Sequence, residues 1–280
     1  MRAVLRRVEL GAVLAAILLA LWSFWYEPSQ LLVRDHAVPI AGAADAGLAG
    51  LKIAVITDLY AGAPFVDSEK IRAVVALTNA SRPDLILLLG DYVSHVVGGT
   101  GIPFKEVAGI LQGLHAPLGV YAVLGEQDWR EDYDGIAHAL GGAGIIVLED
   151  RGVEIRRENS SFYLSGISDF DVGAHDVDRA LDNLPRGGKA LCITHTPDIF
   201  PNLPDGCLLT LAGHTHGGQV DLPFLGRLIV PSRYGQRYAA GLVKEKDHYL
   251  FTATGIGTSN IPIRFGVPPE ISILKILDAR

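Results

Sequence analysis

The sequence predicts an α/β fold in which helices pack on one layered sheet and a second sheet follows in the C-terminal half. In the first part of the chain, short apolar runs alternate with segments whose apolar residues repeat at helical spacing. Such strand–helix–strand repetition favours a sheet with helices on its faces. From Gly144 onward, short strands separated by turns succeed one another, a spacing typical of a second and more antiparallel sheet. At 280 residues the chain is long enough for one sizeable domain.

The spacing of apolar residues predicts where the individual helices and strands lie. A helix that begins near Asp67 carries Ile71, Val74 and Val75 on one face. Further helices are predicted at residues 107–114, 136–140 and 177–184. The predicted strands are short apolar runs at residues 53–56, 85–89, 120–124, 144–148, 162–164, 190–194, 208–211, 249–252 and 271–276.

The first 26 residues have the composition of a membrane-spanning helix. From Leu10 to Tyr26, Ser23 is the only clearly polar side chain, and the stretch spans roughly 25 Å at the rise of an α-helix. Arginines precede it and aromatic side chains end it, which predicts a single span with the domain on the extracytoplasmic, periplasmic face. A cleaved signal peptide and a twin-arginine export signal are alternatives that give the same compartment. We therefore divide the chain into an anchor (1–26), a linker that leads into the domain (27–50) and the main domain (51–280).

The net charge and the two cysteines bear on nucleic-acid binding and on disulfide formation. The formal net charge is −7, the opposite of the basic surface that nucleic-acid binding requires, so we expect no nucleic-acid partner. Cys192 and Cys207 each lie within an apolar run, where a thiol behaves as a small hydrophobe. We therefore expect two buried free thiols rather than a structural disulfide.

Side chains with the chemistry of metal ligands follow the predicted strands. Asp58, Asp91, Glu126 and His195 each come just after a strand, and open α/β sheets place their sites at the carboxyl ends of strands. Taken singly, an aspartate there is more often a helix cap or turn former, and a lone histidine more often a hydrogen-bonding group. Taken together, they suit a two-metal hydrolase, in which one bridging carboxylate holds two cations about 3.5–4 Å apart.

The strongest single motif is Gly-His-Thr-His-Gly-Gly at residues 213–218. In an extended chain His214 and His216 project to the same side, because side chains alternate. The motif has no comparable structural use, so we interpret it as part of a metal site. The glycine-rich residues 254–259 lack the GxGxxG spacing of a dinucleotide site, and we expect an ordinary loop there.

In this order, the segments resemble those of the calcineurin-like metallophosphoesterases, in particular their bacterial membrane-anchored branch, from about Lys52 to Leu277. The matching segments read Asp58-Leu59-Tyr60, Gly90-Asp91-Tyr92, Gly125-Glu126-Gln127-Asp128, His195-Thr196-Pro197-Asp198 and Gly-His-Thr-His-Gly-Gly-Gln at 213–219. The resemblance implies a four-layer α/β sandwich of two mixed β-sheets flanked by helices. It also implies two divalent or mixed-valence metal ions (Mn, Fe or Zn), one held by Asp58, Asp91 and His216 and the other by Asp91, His195 and His214.

Three positions depart from the pattern of the family. Tyr60 stands where the family has a ligating histidine, Glu126 where it has a ligating asparagine, and Gln127 where it has the histidine that contacts phosphate. A carboxylate binds a hard cation better than an amide does, so we count Glu126 among the metal ligands. Tyr60 is a further candidate ligand, because a phenolate favours a hard trivalent ion, and otherwise it packs. Gln127 can hydrogen-bond a phosphate but cannot transfer a proton, which leaves the catalytic residue unassigned.

Two classes of function follow from the resemblance. The first is a metal-dependent hydrolase of a phosphomonoester, phosphodiester or pyrophosphate bond, for which the anchor suggests a lipid-linked or envelope substrate. The second is a catalytically degenerate protein that keeps the fold and serves as a binding or scaffold protein of the cell envelope. The three altered positions favour the second class. The intact Asp58, Asp91, His195, His214 and His216 favour the hydrolase.

Overall fold

The computed structural model describes residues 2–93, 96, 98–157 and 160–279. Within these ranges, twelve strands form two six-stranded sheets. The α-helices are α1 (Arg2–Leu21), α2 (Glu27–Ser29), α3 (Ser68–Ala80), α4 (Phe104–Leu111), α5 (Glu126–Gly142) and α6 (Val177–Ala180). Short 3₁₀ helices are formed by Pro197–Asn202, His216–Gly218 and Gly235–Tyr238.

The first sheet is built from β1 (Leu32–Ile40), β2 (Lys52–Ile56), β3 (Leu85–Leu88), β4 (Val120–Ala122), β5 (Ile146–Val147) and β12 (Glu270–Asp278). Their order is β1-β12-β2-β3-β4-β5. The strands from β2 to β5 are parallel, and α3, α4 and α5 form the crossovers between them. The predicted strand–helix repetition is therefore confirmed. β12 runs antiparallel to β2 and carries β1 beside it as a parallel edge strand.

The second sheet contains β6 (Arg151–Arg157), β7 (Ser160–Gly166), β8 (Ala190–Ile193), β9 (Cys207–Ala212), β10 (Gly241–Glu245) and β11 (His248–Thr252), in the order β10-β11-β9-β8-β7-β6. Only its two edge pairs are antiparallel, whereas β7, β8, β9 and β11 are parallel. The expectation of a more antiparallel sheet is thus wrong for the central strands, because crossovers rather than hairpins join them. Two strands predicted after residue 144, β5 and β12, belong to the first sheet instead.

The two sheets pack face to face around an apolar core. Leu87 of the first sheet and Leu191 of the second both belong to this core and are fully buried. A separate apolar cluster, which includes Ile71 and Leu140, packs α3, α4 and α5 against the outer face of the first sheet. A third cluster, which includes Phe200, covers the outer face of the second sheet. This arrangement is the expected four-layer α/β sandwich of two mixed sheets flanked by helices.

A disulfide bond joins two strands of the second sheet. Cys192 of β8 and Cys207 of β9 are bonded to each other, with their Cα atoms 5.6 Å apart. The prediction of two free thiols is therefore wrong. The two cysteines are brought together because β8 and β9 are neighbours in the sheet, a pairing that crossovers produce and that sequence spacing does not reveal.

The N-terminal helix continues without a break into the domain. Between α1 and α2 the residues Trp22–Tyr26 form one π-helical turn, and residues Val4–Ser29 are long and apolar enough to cross a membrane. The backbone N–H of Val267 donates to Glu27 Oε1 at 2.7 Å, and Trp22 Nε1 donates to the other carboxylate oxygen at 2.6 Å. The segment predicted as a linker, residues 27–50, holds α2 and the nine-residue strand β1.

Candidate metal centre

The predicted ligands gather at the carboxyl ends of strands from both sheets. Asp58 follows β2, Asp91 follows β3, and His195 follows β8. The segment that carries His214 and His216 follows β9. Because these strands point the same way within their sheets and the sheets lie face to face, side chains from separate loops meet at one edge.

Several of these residues adopt a backbone conformation that non-glycine residues rarely take. The φ angles are 53° at Asp58, 48° at Tyr60, 54° at Asp91, 68° at His214 and 49° at His216. Left-handed conformations of this kind cost free energy and persist only where the surrounding structure holds them. Their concentration at one edge indicates that the local backbone is shaped to aim these side chains at a common point.

Asp91, His195 and His214 form a group that suits a metal ion. One potential ligand atom from each lies within 4.8 Å of the other two. His195 Nδ1 lies 2.6 Å from the Leu89 carbonyl oxygen and donates its proton there. Nε2 is therefore the ring atom that faces the centre, 3.3 Å from Asp91 Oδ2 and 3.3 Å from His214 Nδ1. A backbone carbonyl that fixes the tautomer in this way is the usual support of a metal-ligating histidine.

Asp58 and His216 form a second, adjacent pair with unsatisfied polar atoms. His216 Nε2 lies 3.4 Å from Asp58 Oδ1, and both side chains are buried. Among the described residues, neither His216 ring nitrogen nor Asp58 Oδ1 has a hydrogen-bond partner. Burial lowers the pKa of His216 to about 4, so the ring is neutral at pH 7 and can donate a lone pair. Buried polar atoms without partners are costly, and a cation between these two groups would satisfy them.

Tyr60 enters the centre as a hydrogen-bond donor. Its hydroxyl donates to Asp91 Oδ2 at 2.7 Å, and its ring centroid lies 5.1 Å from that of His216. Burial, followed by repulsion from the carboxylates of Asp91 and Asp58, raises the pKa of the Tyr60 phenol well above 10. The phenol therefore keeps its proton in this arrangement.

The other two altered positions lie at the start of α5. The Glu126 carboxylate forms an ion pair with Arg130, one turn further along the helix. Among the described residues, it is not part of the compact group of Asp91, His195 and His214. The backbone N–H of Gln127 donates to Asp91 Oδ1 at 2.8 Å, so the N-terminus of the helix stabilises this carboxylate.

Asp128 positions Asp91, a role that the sequence did not single out. Its carboxylate accepts backbone hydrogen bonds from Asp91 at 2.8 Å, from Tyr92 at 2.8 Å and from Gly125 at 2.9 Å. An acidic residue at the third position of a helix is a recognisable capping signal, so the sequence did contain this information. Burial and the nearby Asp91 carboxylate raise the pKa of Asp128 to about 7.

The electrostatics of the centre are dominated by one ion pair. Burial by itself opposes charge on both Asp91 and His195. Their mutual attraction outweighs this effect, so the pKa of Asp91 is lowered below its usual value and that of His195 is raised above its usual value. Asp91 therefore stays ionised at neutral pH, as a carboxylate that bridges two cations must.

A buried arginine organises the loop beside the site. Arg264 is fully buried, and its guanidinium donates to the carbonyl oxygens of Gly257 at 2.5 Å and Gly255 at 3.1 Å. A Cβ atom at Gly255 would lie 2.7 Å from Asp58 Cβ, and one at Gly257 would lie 2.7 Å from Tyr60 Cβ. The loop at 254–259 is therefore packed directly against the metal centre. Sequence reasoning missed this contact, because nothing local to Arg264 indicates its partners.

No model of a known protein family matches the chain. It is 28% identical over 273 residues to the uncharacterized metallophosphoesterase YkuE of Bacillus subtilis, covering 95% of this chain and 94% of that protein. It is 32% identical over 249 residues to the phosphodiesterase YaeI of Escherichia coli, covering 87% of this chain and 84% of that protein. A zebrafish transmembrane protein with a metallophosphoesterase domain is 25% identical over 291 residues, covering 98% of this chain and 63% of that protein. Together with the fold and the order of the ligand-bearing loops, these similarities establish that the chain belongs to the calcineurin-like metallophosphoesterase family.

Proposed function

We propose that this protein is a metal-dependent hydrolase of a phosphomonoester, phosphodiester or pyrophosphate bond that works on the extracytoplasmic face of the membrane. The observation that carries the proposal is the convergence of Asp91, His195 and His214 on one point. Asp58 and His216 lie beside them with unsatisfied buried atoms. Two neighbouring groups of this kind suit a pair of cations, which the family resemblance would bridge through Asp91.

The donor set suits Mn, Fe or Zn ions. Carboxylate oxygens and imidazole nitrogens are the ligands that these metals share. When bound, such cations would polarise the phosphoryl group, neutralise developing negative charge and make a water molecule more acidic. In this chain, the Leu89 carbonyl oxygen holds the His195 ring in the orientation that a ligand would need. Asp128 holds the backbone of Asp91, and the N–H of Gln127 at the N-terminus of α5 holds the Asp91 carboxylate.

Gln127 limits the chemistry that the protein itself can add. A glutamine side chain can hydrogen-bond a phosphate oxygen but cannot protonate a leaving group, a contribution typically worth about 10²–10⁴ in rate. We therefore expect substrates whose leaving group needs no proton to be turned over best. A phosphate diester or anhydride with an acidic leaving group meets this condition.

The location outside the cytoplasm is supported by two features. The apolar helix at Val4–Ser29 is a candidate membrane span, and arginines precede its apolar part, an arrangement that keeps the N-terminus in the cytoplasm. The disulfide between Cys192 and Cys207 is the second feature, since disulfides persist in oxidising compartments and are rare in the cytosol. A membrane-bound enzyme in that location would meet lipid-linked or envelope phosphoesters.

A degenerate binding or scaffold protein of the envelope remains the second candidate. It is favoured by the contacts of two altered positions: Tyr60 donates a hydrogen bond to Asp91, and Glu126 pairs with Arg130. In both cases the side chain is engaged by the protein in a contact that competes with metal ligation.

Metal content and hydrolysis of bis-p-nitrophenyl phosphate separate the two candidates. The full chain, purified in detergent, should contain at least one metal ion and turn over this substrate with added Mn²⁺, Fe²⁺ or Zn²⁺. Asp91→Asn should abolish both properties. Asp150→Asn is the matched control, because Asp150 is also a buried aspartate at positive φ but binds Ser168 outside the site. A chain without bound metal and without turnover under any cation would refute the hydrolase and support the scaffold.

A further inference from the structure

The membrane helix ends at the same edge of the first sheet as the metal ligands. β12 starts beside the carboxyl end of β2, since Ser272 pairs with Val55. β1 also starts beside the carboxyl end of β2, because Leu32 pairs with the first residue of β12. The short helix α2 ends at Ser29, just before β1 begins. Asp58 follows the carboxyl end of β2, so the helix enters the domain at the edge of the sheet where the candidate ligands lie.

One buried residue connects the helix to the site. The backbone N–H of Arg264 donates to the carbonyl oxygen of Ser23 at 2.9 Å. Its guanidinium donates to Gly255 and Gly257, the glycines that lie against the metal centre. Burial lowers the pKa of Arg264 to about 10, so the group stays charged at neutral pH and keeps these bonds. The membrane helix and the metal centre are therefore fixed with respect to each other.

A group of large apolar side chains is exposed near this connection. It consists of four residues from the loop 222–230 and of Ile261, whose carbonyl oxygen accepts a hydrogen bond from the Gln219 side chain just before that loop. We call it the apolar rim: Phe224, Leu225, Leu228, Ile229 and Ile261. Phe224 is fully exposed, and Ile229 is 82% exposed. Exposed apolar groups of this kind mark surfaces that contact another protein or a membrane.

Hydrogen bonds hold the rim to the site and to the helix contact. Arg227, within the loop, donates from Nε to the carbonyl oxygen of Gly217 in the histidine motif at 2.8 Å. The backbone N–H of Asp221 donates to the carbonyl oxygen of Phe265 at 2.8 Å. Phe265 is the neighbour in sequence of Arg264, which binds the membrane helix. The segment that carries the rim is therefore bonded both to the histidine motif and to the residues that dock the helix.

Resting on the proposed function, we infer that the apolar rim inserts into the outer leaflet of the bilayer that α1 spans. The substrate is then an amphiphilic phosphoester that stays in the membrane with its phosphate at headgroup level. Trp22, Trp25 and Tyr26 at the end of the helix favour that same level. Ser23, which lies among these aromatic residues, is the residue that Arg264 binds. The helix contact thus sets the height of the rim at the bilayer surface, which favours lipid over a protein partner as its occupant.

A fluorescence experiment tests the insertion without any need for activity. Both native cysteines are bonded to each other, so a bimane label reacts only with a cysteine introduced by Phe224→Cys. The full chain is placed in nanodiscs of phosphatidylethanolamine and phosphatidylglycerol that contain a lipid with a nitroxide on its headgroup. Arg156→Cys is the matched control, because its side chain is 86% exposed. It lies near the start of β7, at the end of the parallel strands opposite to the site, since Arg156 pairs with Ser161.

We expect the nitroxide lipid to quench the label at position 224 at least about threefold more than the label at position 156. Equal quenching at the two positions would overturn the proposal. This outcome does not depend on metal or turnover, so it is distinguishable from a failure of the proposed function.

A kinetic comparison tests the substrate class. The double variant Phe224→Ser with Ile229→Ser is assayed in nanodiscs with soluble bis-p-nitrophenyl phosphate and with a long-chain alkyl p-nitrophenyl phosphate embedded in the same lipid. We expect unchanged turnover of the soluble ester and about tenfold lower turnover of the embedded ester, because only the latter needs the rim. Equal losses on both esters, or no loss on either, would refute the role of the rim in substrate access.

Discussion

Replacing Tyr60 with phenylalanine should tighten metal binding. The phenol hydroxyl now donates to Asp91 Oδ2, an oxygen that also faces the His195 ring nitrogen. A cation at this point must compete with that proton for the same lone pairs. Phenylalanine keeps the ring next to His216 but removes the donor, so the carboxylate oxygen becomes free for the metal.

The size of the effect follows from the hydrogen bond that is removed. A hydrogen bond to a charged group contributes about 1.5–3 kcal/mol net. The cation must displace this hydrogen bond when it binds to Asp91. Removing the hydroxyl therefore lowers the dissociation constant of the metal about 10- to 100-fold, since each 1.4 kcal/mol corresponds to roughly a factor of ten. The phenol keeps its proton at pH 7, because burial raises its pKa well above 10, so the competition operates at neutral pH.

Isothermal titration of the full chain in detergent with Mn²⁺ and with Zn²⁺ at pH 7 measures this change. Tyr92→Phe is the matched control, because Tyr92 is also fully buried and donates its hydroxyl to the Val123 carbonyl oxygen at 2.8 Å. This control should lower the free energy of unfolding by about 1 kcal/mol and leave metal affinity unchanged. Weaker metal binding by the Tyr60→Phe variant would refute the reasoning and show that the phenolate is itself a ligand.

Three further predictions concern stability and the geometry of the site. Reducing the disulfide, which closes a loop between residues 15 positions apart, should lower the free energy of unfolding by about 3 kcal/mol in urea titrations with and without dithiothreitol; unchanged stability would argue against the bond. Gly125→Ala should weaken metal binding at least about tenfold, because a Cβ atom there would collide with Asp91 Oδ1. Gly141→Ala, near the end of α5, meets no atom within 4 Å and should leave metal binding intact. Burial raises the pKa of Glu149 from 4.5 to about 8, so the folded state keeps a proton that the unfolded chain releases, and stability should fall as pH rises from 4.5 to 8. Glu149→Gln should therefore stabilise the protein by roughly 1–3 kcal/mol at pH 8 and by little at pH 5; equal effects at both values in urea titrations would contradict the shift.

Local sequence patterns predicted the parts of the fold that depend on local periodicity. The strands before Asp58, Asp91 and His195 and the helices of the first sheet could be read from continuous apolar runs and helical spacing. The expectation that these side chains meet also followed, because parallel strands bring their carboxyl ends to one edge.

Features that depend on the pairing of distant segments could not be predicted in this way. The disulfide requires β8 and β9 to be neighbours, and no local pattern shows which strands pair. The role of Arg264 depends on carbonyl groups that only the folded loop presents to it. The contact of Glu126 with Arg130, by contrast, follows from their spacing of four residues on one helix.

The disulfide also has a consequence for the order in which the protein matures. β8 leads into His195 and β9 leads into His214 and His216, so the bond joins the two strands that carry all three histidines of the centre. In the proposed location, this bond forms only after the chain has left the reducing cytosol. We therefore expect the newly made protein to have a loosely held centre during synthesis. In that case, the strands that lead into these three histidines would be covalently joined only after export and oxidation of the chain.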